Sequence, residues 1–227
     1  MSIVSVRKLT RDYHQGEHTV QALRGVDLDI QPGEFTALMG PSGSGKSTLL
    51  NLIGGLDKPT AGSVEIEGAN LATMTAAERS DLRRDRLGFV FQAYNLIPVL
   101  TAAENAEFVL QLQGKDATAR RERAFETLAA VGLEGMEGRR PNELSGGQQQ
   151  RVAVARAIAG DPALVLADEP TANLDSKTSD ELIATMKKLN TELGVTFVFA
   201  THDPKVMDAA QRVIHLVDGE IAQDIRK

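Results

Sequence analysis

The sequence predicts an α/β fold: a mostly parallel sheet with helices, an antiparallel β layer at the N-terminus and an inserted helical subdomain. Three observations carry this. A short apolar run, Phe35 to Met39, leads through a glycine-rich loop into a helical stretch, Ser47 to Ile53, which is a strand–loop–helix unit. Two more apolar runs, Leu164 to Ala167 and Thr196 to Ala200, are separated by a helical pattern, and strand–helix–strand alternation means parallel pairing. Between about residues 93 and 159 strand signals vanish while helix signals continue.

Residues 3 to 9 alternate apolar and polar side chains, as do Val26, Leu28 and Ile30, the pattern of half-buried antiparallel strands. Thr75 with Glu78, and Thr101 with Glu104, have the spacing of capping boxes and predict two helix starts. Leu87 to Phe91 reads as a buried strand ending at Gln92. Leu182, Ile183, Met186 and Leu189 mark one face of a helix that closes before Gly194. Val213 to Val217, the Asp218-Gly219 turn and Glu220 to Ala222 form a hairpin near the end. The division expected is a single domain over 1–227. Its core is built from 1–92 and 160–227, and the helical subdomain spans 93–159.

Composition narrows the function classes. Cysteine is absent, so neither disulfides nor thiolate metal sites contribute. With 25 basic and 31 acidic residues the net charge is −6, which opposes binding to nucleic acid or anionic lipid through the overall field. Arg7 and Lys8 stand where a signal peptide needs its apolar core, and no stretch approaches the roughly 20 apolar residues of a membrane span. The expected place is therefore the cytoplasm, with any membrane part on another polypeptide.

The glycine loop is GPSGSGKS, Gly40 to Ser47. Gly40, Gly43 and Gly45 let the backbone approach a polyphosphate, and the following helix N-terminus adds positive potential. Pro41, Ser42, Ser44 and Thr48 complete the cradle, Lys46 brings a full charge to the β- and γ-phosphates, and Ser47 places a hydroxyl for Mg²⁺. Asp168 and Glu169 emerge at the end of the Leu164 strand, at the carboxyl edge where ligands of open α/β sheets bind. Asp168 suits the metal through its hydration shell, and Glu169 the attacking water.

A second string, LSGGQ at Leu144 to Gln148, has roughly a one in a few thousand chance of arising by accident in a chain this long. Ser145 and Gln148 also satisfy a capping box, so capping is an alternative reading of those side chains. The pair Gly146-Gly147 is costly in a helix unless something approaches the backbone closely, and an anion at that N-terminus would account for it.

With these motifs in this order the chain resembles the nucleotide-binding subunit of ATP-binding cassette (ABC) transporters, from about Ile3 to the end. The resemblance implies a P-loop, RecA-like core that binds and hydrolyses ATP with Mg²⁺. It implies two copies closing head to tail, so that each ATP lies between one P-loop and the other copy's Ser145, Gly146 and Gly147. Tyr13 looks like the aromatic that stacks on adenine, Gln92 like the switch-loop glutamine near Mg²⁺ and water, and His202 like the histidine at the γ-phosphate. Asn173, Leu174 and Asp175 resemble the loop facing the opposite copy. A packed surface tyrosine, a strand-end amide and a core imidazole are the plain structural readings of Tyr13, Gln92 and His202.

Within that family FVFQAYNLIPVLTAAEN, the long run through ADEPTANLDS, and THD resemble the bacterial lipoprotein-releasing and macrolide-export group, LolD-type and MacB-type ATPases. The match departs at Ala172 and at Phe108 to Gly114. The implied partner is an FtsX-like permease at the inner face of the plasma membrane, through which alone the chain would contact the membrane. Near Tyr94, Leu96, Ile97, Val99 and Leu100 the family places its groove for the permease's cytoplasmic helix; core packing is an equal reading of that cluster. A regulatory ATPase coupled to an FtsX-like scaffold that controls cell-wall enzymes is the alternative function, and a nucleic-acid-associated ATPase is disfavoured.

Overall fold

The alternation near the N-terminus becomes two long antiparallel strands, β1 (Val4–Gln15) and β2 (His18–Ile30). The computed structural model describes residues 2–16 and 18–227. Val4, Val6 and Leu9 are buried on one face of β1 while Arg7 faces outward. The strict alternation breaks at Lys8, whose φ of 44° marks a bulge with its amide donated to Asp27 Oδ1 at 2.9 Å. Opposite lies Gly62, where a Cβ would collide with the Lys8 and Arg7 carbonyls. With β4 (Ala61–Ile66) and β5 (Ala69–Asn70) these strands form a sheet of order β2-β1-β4-β5.

The second sheet contains β3 (Phe35–Met39), β6 (Leu87–Phe91), β7 (Leu164–Asp168) and β8 (Thr196–Ala200), with β9 (Arg212–Val217) and β10 (Glu220–Arg226) as the terminal hairpin. Its order is β10-β9-β3-β8-β7-β6, and every pairing except β10 with β9 is parallel. β3, β7 and β8 are buried on both sides, as strands inside a parallel sheet are, whereas the edge strand β10 is largely exposed. In β7, Leu164 and Leu166 belong to the core beneath the antiparallel layer, whereas Val165 and Ala167 belong to the core on the opposite face. The parallel sheet is thus the middle layer.

Seven α-helices complete the fold among the described residues. The first, α1 (Lys46–Ile53), follows β3; α2 (Ala76–Arg86) and α3 (Ala102–Leu112) start at Thr75 and Thr101 with both bonds of each capping box formed. Asp116 caps α4 (Ala117–Ala130). After a 3₁₀ turn at Pro141–Glu143, α5 (Gly146–Ala159) runs to its C-cap at Gly160. Asp175 caps α6 (Ser176–Leu193), which Gly194 ends in the left-handed conformation, and α7 (Pro204–Ala209) precedes β9. No strand falls within 93–159. Ala106 of α3, Leu128 of α4 and Val154 of α5 share one apolar core with Val90, Val165 and Phe197 of the sheet, so the core of these helices is continuous with that of the sheet; α3, α4 and α5 pack chiefly on one another, and α5 joins them to β6.

The two sheets are tied by Arg212, whose side chain is only 6% exposed. Its guanidinium forks onto Asp224 (2.8 and 2.6 Å) and donates to the Asp29 carbonyl (2.6 Å) and Glu34 Oε2 (3.0 Å). One cation thereby joins β9, β10, the end of β2 and the approach to β3. The Arg212 hydrogen bond holds the Asp224 carboxyl below the usual carboxylate range. A carboxylate with a depressed folded-state value stabilises the fold above its unfolded value, and that contribution disappears as pH falls through the folded one. Replacing Arg212 by Met strands Asp224 and leaves Glu34 with Arg226 alone, and is expected to cost about 3 kcal/mol in urea unfolding at neutral pH. The deficit relative to wild type should shrink on acidification; a constant deficit would show that packing, not charge, carries the effect.

Candidate functional site

Sheet order decides which side chains meet. Gln92 follows β6, Asp168 ends β7 and Glu169 follows it, Thr201 and His202 follow β8, and the glycine loop follows β3; these strands are consecutive neighbours, so their carboxyl ends form one edge. There a cavity of about 730 Å³ is lined by Gly40 to Thr48 together with Tyr13, Gln92, Glu169 and His202.

The loop is shaped by two sites of close approach. At Gly40 (φ 151°) a Cβ would collide with the Leu216 carbonyl of β9, and at Gly45 (φ 102°) it would sit 2.5 Å from the Ala22 carbonyl of β2. Both positions need φ values that L-residues rarely adopt. Gly45 is also the N-cap of α1 and offers no side-chain acceptor. The first-turn amides of that helix therefore have no side-chain cap, which leaves positive potential at the loop. Lys46, 8% exposed, folds back so that Nζ donates to the carbonyls of Gly40 (2.8 Å) and Pro41 (3.0 Å). An anion in the loop gives that ammonium a charged partner in place of two neutral ones. Ser44 Oγ is buried without a partner among the described residues.

Facing the loop, Ser47 donates its hydroxyl to Asp168 Oδ1 at 2.9 Å. Burial pushes the Asp168 carboxyl above its ordinary range and Glu169 adds to the effect, while the Ser47 hydrogen bond and the Lys46 charge oppose it. A hydroxyl and a desolvated carboxylate side by side are the hard oxygen donors that Mg²⁺ takes alongside substrate phosphates. Among the described residues no cluster of three or more His, Asp or Glu side chains forms an all-protein cage. The donor set fits a phosphate-shared Mg²⁺.

Glu169 points away from this pair. Its φ is 47° and its amide donates to the Ala200 carbonyl at 2.8 Å. Thr201 Oγ1 donates to its Oε2 (3.1 Å), and His202 Nδ1 lies 2.8 Å from Oε1. The Glu169 carboxylate is thus oriented from two neighbours, one of them the Thr201 hydroxyl, which no motif in the sequence marks. His202 is 73% exposed, which removes the reading of a core imidazole. Gln92 accepts at its carbonyl from Asn173 Nδ2 (2.9 Å). Tyr13 donates to Asp57 Oδ2 (2.8 Å) and carries the Arg11 guanidinium 4.4 Å over its ring, so an adenine ring can use only the face that Arg11 leaves.

The LSGGQ residues are elsewhere. Ser145, Gly146, Gly147, Gln148 and Asp175 do not line the cavity. Ser145 Oγ accepts from the Gln148 amide (3.3 Å) and Gln148 Oε1 from the Ser145 amide (2.9 Å), a complete capping box. The two glycines have partners inside the chain: a Cβ on Gly146 would lie 2.8 Å from the Tyr94 hydroxyl, and one on Gly147 would overlap the Thr178 methyl. Tyr94 and Thr178 thus supply one reason for glycine at this helix start, beside the anion that the sequence suggests. The cluster after Gln92 divides: Leu96 packs on the core, Ile97 lines an apolar groove with Phe89, Phe108 and Leu112, and Val99 is 73% exposed.

Comparison with known proteins agrees with this geometry. The model of the ABC transporter family matches residues 23–172. An uncharacterized ABC transporter ATP-binding protein, MJ0796 of Methanocaldococcus jannaschii, is 48% identical over 98% of this chain and 96% of its own length. A macrolide export ATP-binding/permease protein, MacB 1/2 of Paracoccus denitrificans, is 46% identical over 99% of this chain, which spans only 33% of that protein. Among solved structures, a dimeric post-hydrolysis state of the MJ0796 cassette bound to ADP and Pi superposes with a TM-score of 0.91 at 48% identity, covering 98% of both chains.

Removing the Lys46 charge leaves the loop backbone in place. Lys46→Met is expected to weaken MgATP binding about 10–100-fold, the worth of a charge-assisted hydrogen bond, in equilibrium titration, with an unchanged circular dichroism spectrum. Unaltered affinity would mean that the ammonium stays on the Gly40 and Pro41 carbonyls when nucleotide binds.

Proposed function

The chain belongs to the ABC transporter family as an ATP-binding and ATP-hydrolysing cassette, and from that premise we propose that two copies close head to tail around two ATP molecules to drive a separate membrane permease. The observation that carries the proposal is the separation within one chain of the phosphate loop from Ser145, Gly146, Gly147 and Gln148. A second copy can present those residues to the γ-phosphate, and dimeric structures exist for a cassette 48% identical to this one.

In this reading Gly40 to Thr48 hold the phosphates through main-chain amides, with Lys46 on the β- and γ-phosphates. Ser47 and Asp168 hold Mg²⁺, with Gln92 beside it, and the ion neutralises and aligns the phosphate oxygens when bound. Glu169, steered by Thr201 and His202, accepts the proton of the attacking water. His202 meets the γ-phosphate, and Asp175, on the loop facing the second copy, closes the rim. ATP drives closure because its γ-phosphate touches both copies in the closed state and one in the open state.

The permease takes the apolar groove between α3, β6 and the C-terminal end of α5. Its only titratable lining residues are Arg83, Arg84 and Arg156, so a cytoplasmic helix with apolar and acidic faces suits it. No helix among the described residues is long and apolar enough to cross a membrane. The place proposed is the cytoplasmic face of the plasma membrane, beside an FtsX-like permease, in macrolide- or lipoprotein-type export. The relatives named for macrolide export carry ATP-binding and permease parts in one protein, which supports a membrane partner of that kind.

Glu169→Gln keeps the hydrogen bonds but loses the base. It is expected to lower the turnover rate about 10²–10⁴-fold and to sediment as a dimer in saturating MgATP and as a monomer without it. Turnover near the wild-type rate removes Glu169 from the role of base.

A further inference from the structure

Gln150 lies on α5, one turn beyond the Ser145–Gly147 helix start, and is completely buried. Its Nε2 donates to the Pro170 carbonyl at 2.9 Å, and its Oε1 has no donor among the described residues. An apolar residue of the same shape would remove that unpartnered acceptor but leave the buried Pro170 carbonyl without its donor, so the two costs largely offset. Stability therefore gives little preference for an amide at this position.

What the amide holds is specific. Pro170 directly follows Glu169, whose left-handed φ of 47° belongs to a turn closed by the Ala172 amide on the Glu169 carbonyl. A second contact from the same helix reaches the same stretch of chain. Gly147 abuts the Thr178 methyl, and Thr178 is bonded through both its amide and hydroxyl to Asp175. The helix bearing the LSGGQ residues is thus fastened at two points to the segment that begins with its own chain's base.

We propose that Gln150 is a positioning residue that couples the two nucleotide sites of the dimer. The inference rests on the head-to-tail reading above. In that arrangement the start of α5 touches the γ-phosphate held by the second copy, whereas Glu169 of the same chain serves the ATP held by its own loop. Gln150 is the direct hydrogen bond between the two. When α5 settles on the distant phosphate, the Gln150–Pro170 bond draws the Glu169 turn with it, and the base is brought closer to its working position when both sites are filled than when one is. The linkage is an equilibrium coupling between sites and shows as cooperativity in ATP, with a Hill coefficient bounded by the two sites.

The test is steady-state ATP hydrolysis by the whole chain, wild type against Gln150→Met, with thermal unfolding and nucleotide titration run in parallel. Wild type should show a Hill coefficient well above 1. In Gln150→Met it should fall to about 1 and the maximal rate about tenfold, with single-chain ATP affinity within twofold and the melting temperature within a few degrees of wild type. Wild-type cooperativity in a folded Gln150→Met protein overturns the coupling, as does a non-cooperative wild type. If both Gln150→Met and Gln150→Leu fail to fold, the side chain is retained for stability and the inference is wrong. Sedimentation of the Glu169→Gln/Gln150→Met protein in MgATP separates the layers: a dimer with unchanged cooperativity sinks only this inference, whereas monomers here and in Glu169→Gln alone sink the head-to-tail reading beneath it.

Discussion

Room for a polyphosphate beside the main chain exists because Gly40 and Gly45 are wedged where no Cβ fits, between the Leu216 carbonyl of β9 and the Ala22 carbonyl of β2. The loop is clasped by both sheets. The Gly219 amide donates to the Ser44 carbonyl (3.1 Å) and the Arg24 amide to the Gly219 carbonyl (2.9 Å), so the terminal hairpin, the loop and the antiparallel layer form one hydrogen-bonded stack. Arg212 locks that stack from below through Asp224, Glu34 and the Asp29 carbonyl. The shape of the phosphate cradle therefore depends on how the two sheets dock, and the N-terminal layer is a wall of the site.

Across the cradle the acidic groups divide their work by geometry. Asp168 continues the line of β7 toward Ser47, while the left-handed turn at Glu169 swings the next carboxylate to Thr201 and His202. Two adjacent carboxylates would repel if both pointed into one pocket. Here one faces Ser47 and the other the neighbouring strand end. The backbone inversion keeps the two carboxylates apart, as the proposed metal and base roles need, and strain of this kind collects at working sites.

Features written in a few consecutive residues were legible in the sequence. The capping boxes at Thr75 and Thr101, the strands at Phe35–Met39 and Thr196–Ala200, and the left-handed stop at Gly194 all follow from local spacing. The cradle and the carboxylate pair were legible because each lies within one short string. Contacts that join distant residues were not. The Arg212 network collects positions 29, 34, 212 and 224, Thr201 gains meaning only when β8 lies beside β7, and Gln150 reads in sequence as an ordinary polar helix position although it is fully buried. Gly146 and Gly147 show the converse: the need for glycine was visible, but Tyr94 and Thr178, which supply one reason for it, come from other elements.

In the proposed head-to-tail dimer each site is assembled from the loop of one copy and the LSGGQ helix of the other. Mixing two inactive variants, Lys46→Met and Ser145→Arg, tests it directly through the rate of ATP hydrolysis. Head-to-tail assembly gives the mixed dimer one doubly altered site and one intact site, so the mixture should hydrolyse ATP faster than the sum of its parts, most clearly at equal proportions. If every ratio gives only that sum, each chain relies on its own LSGGQ helix, and the shared site is contradicted.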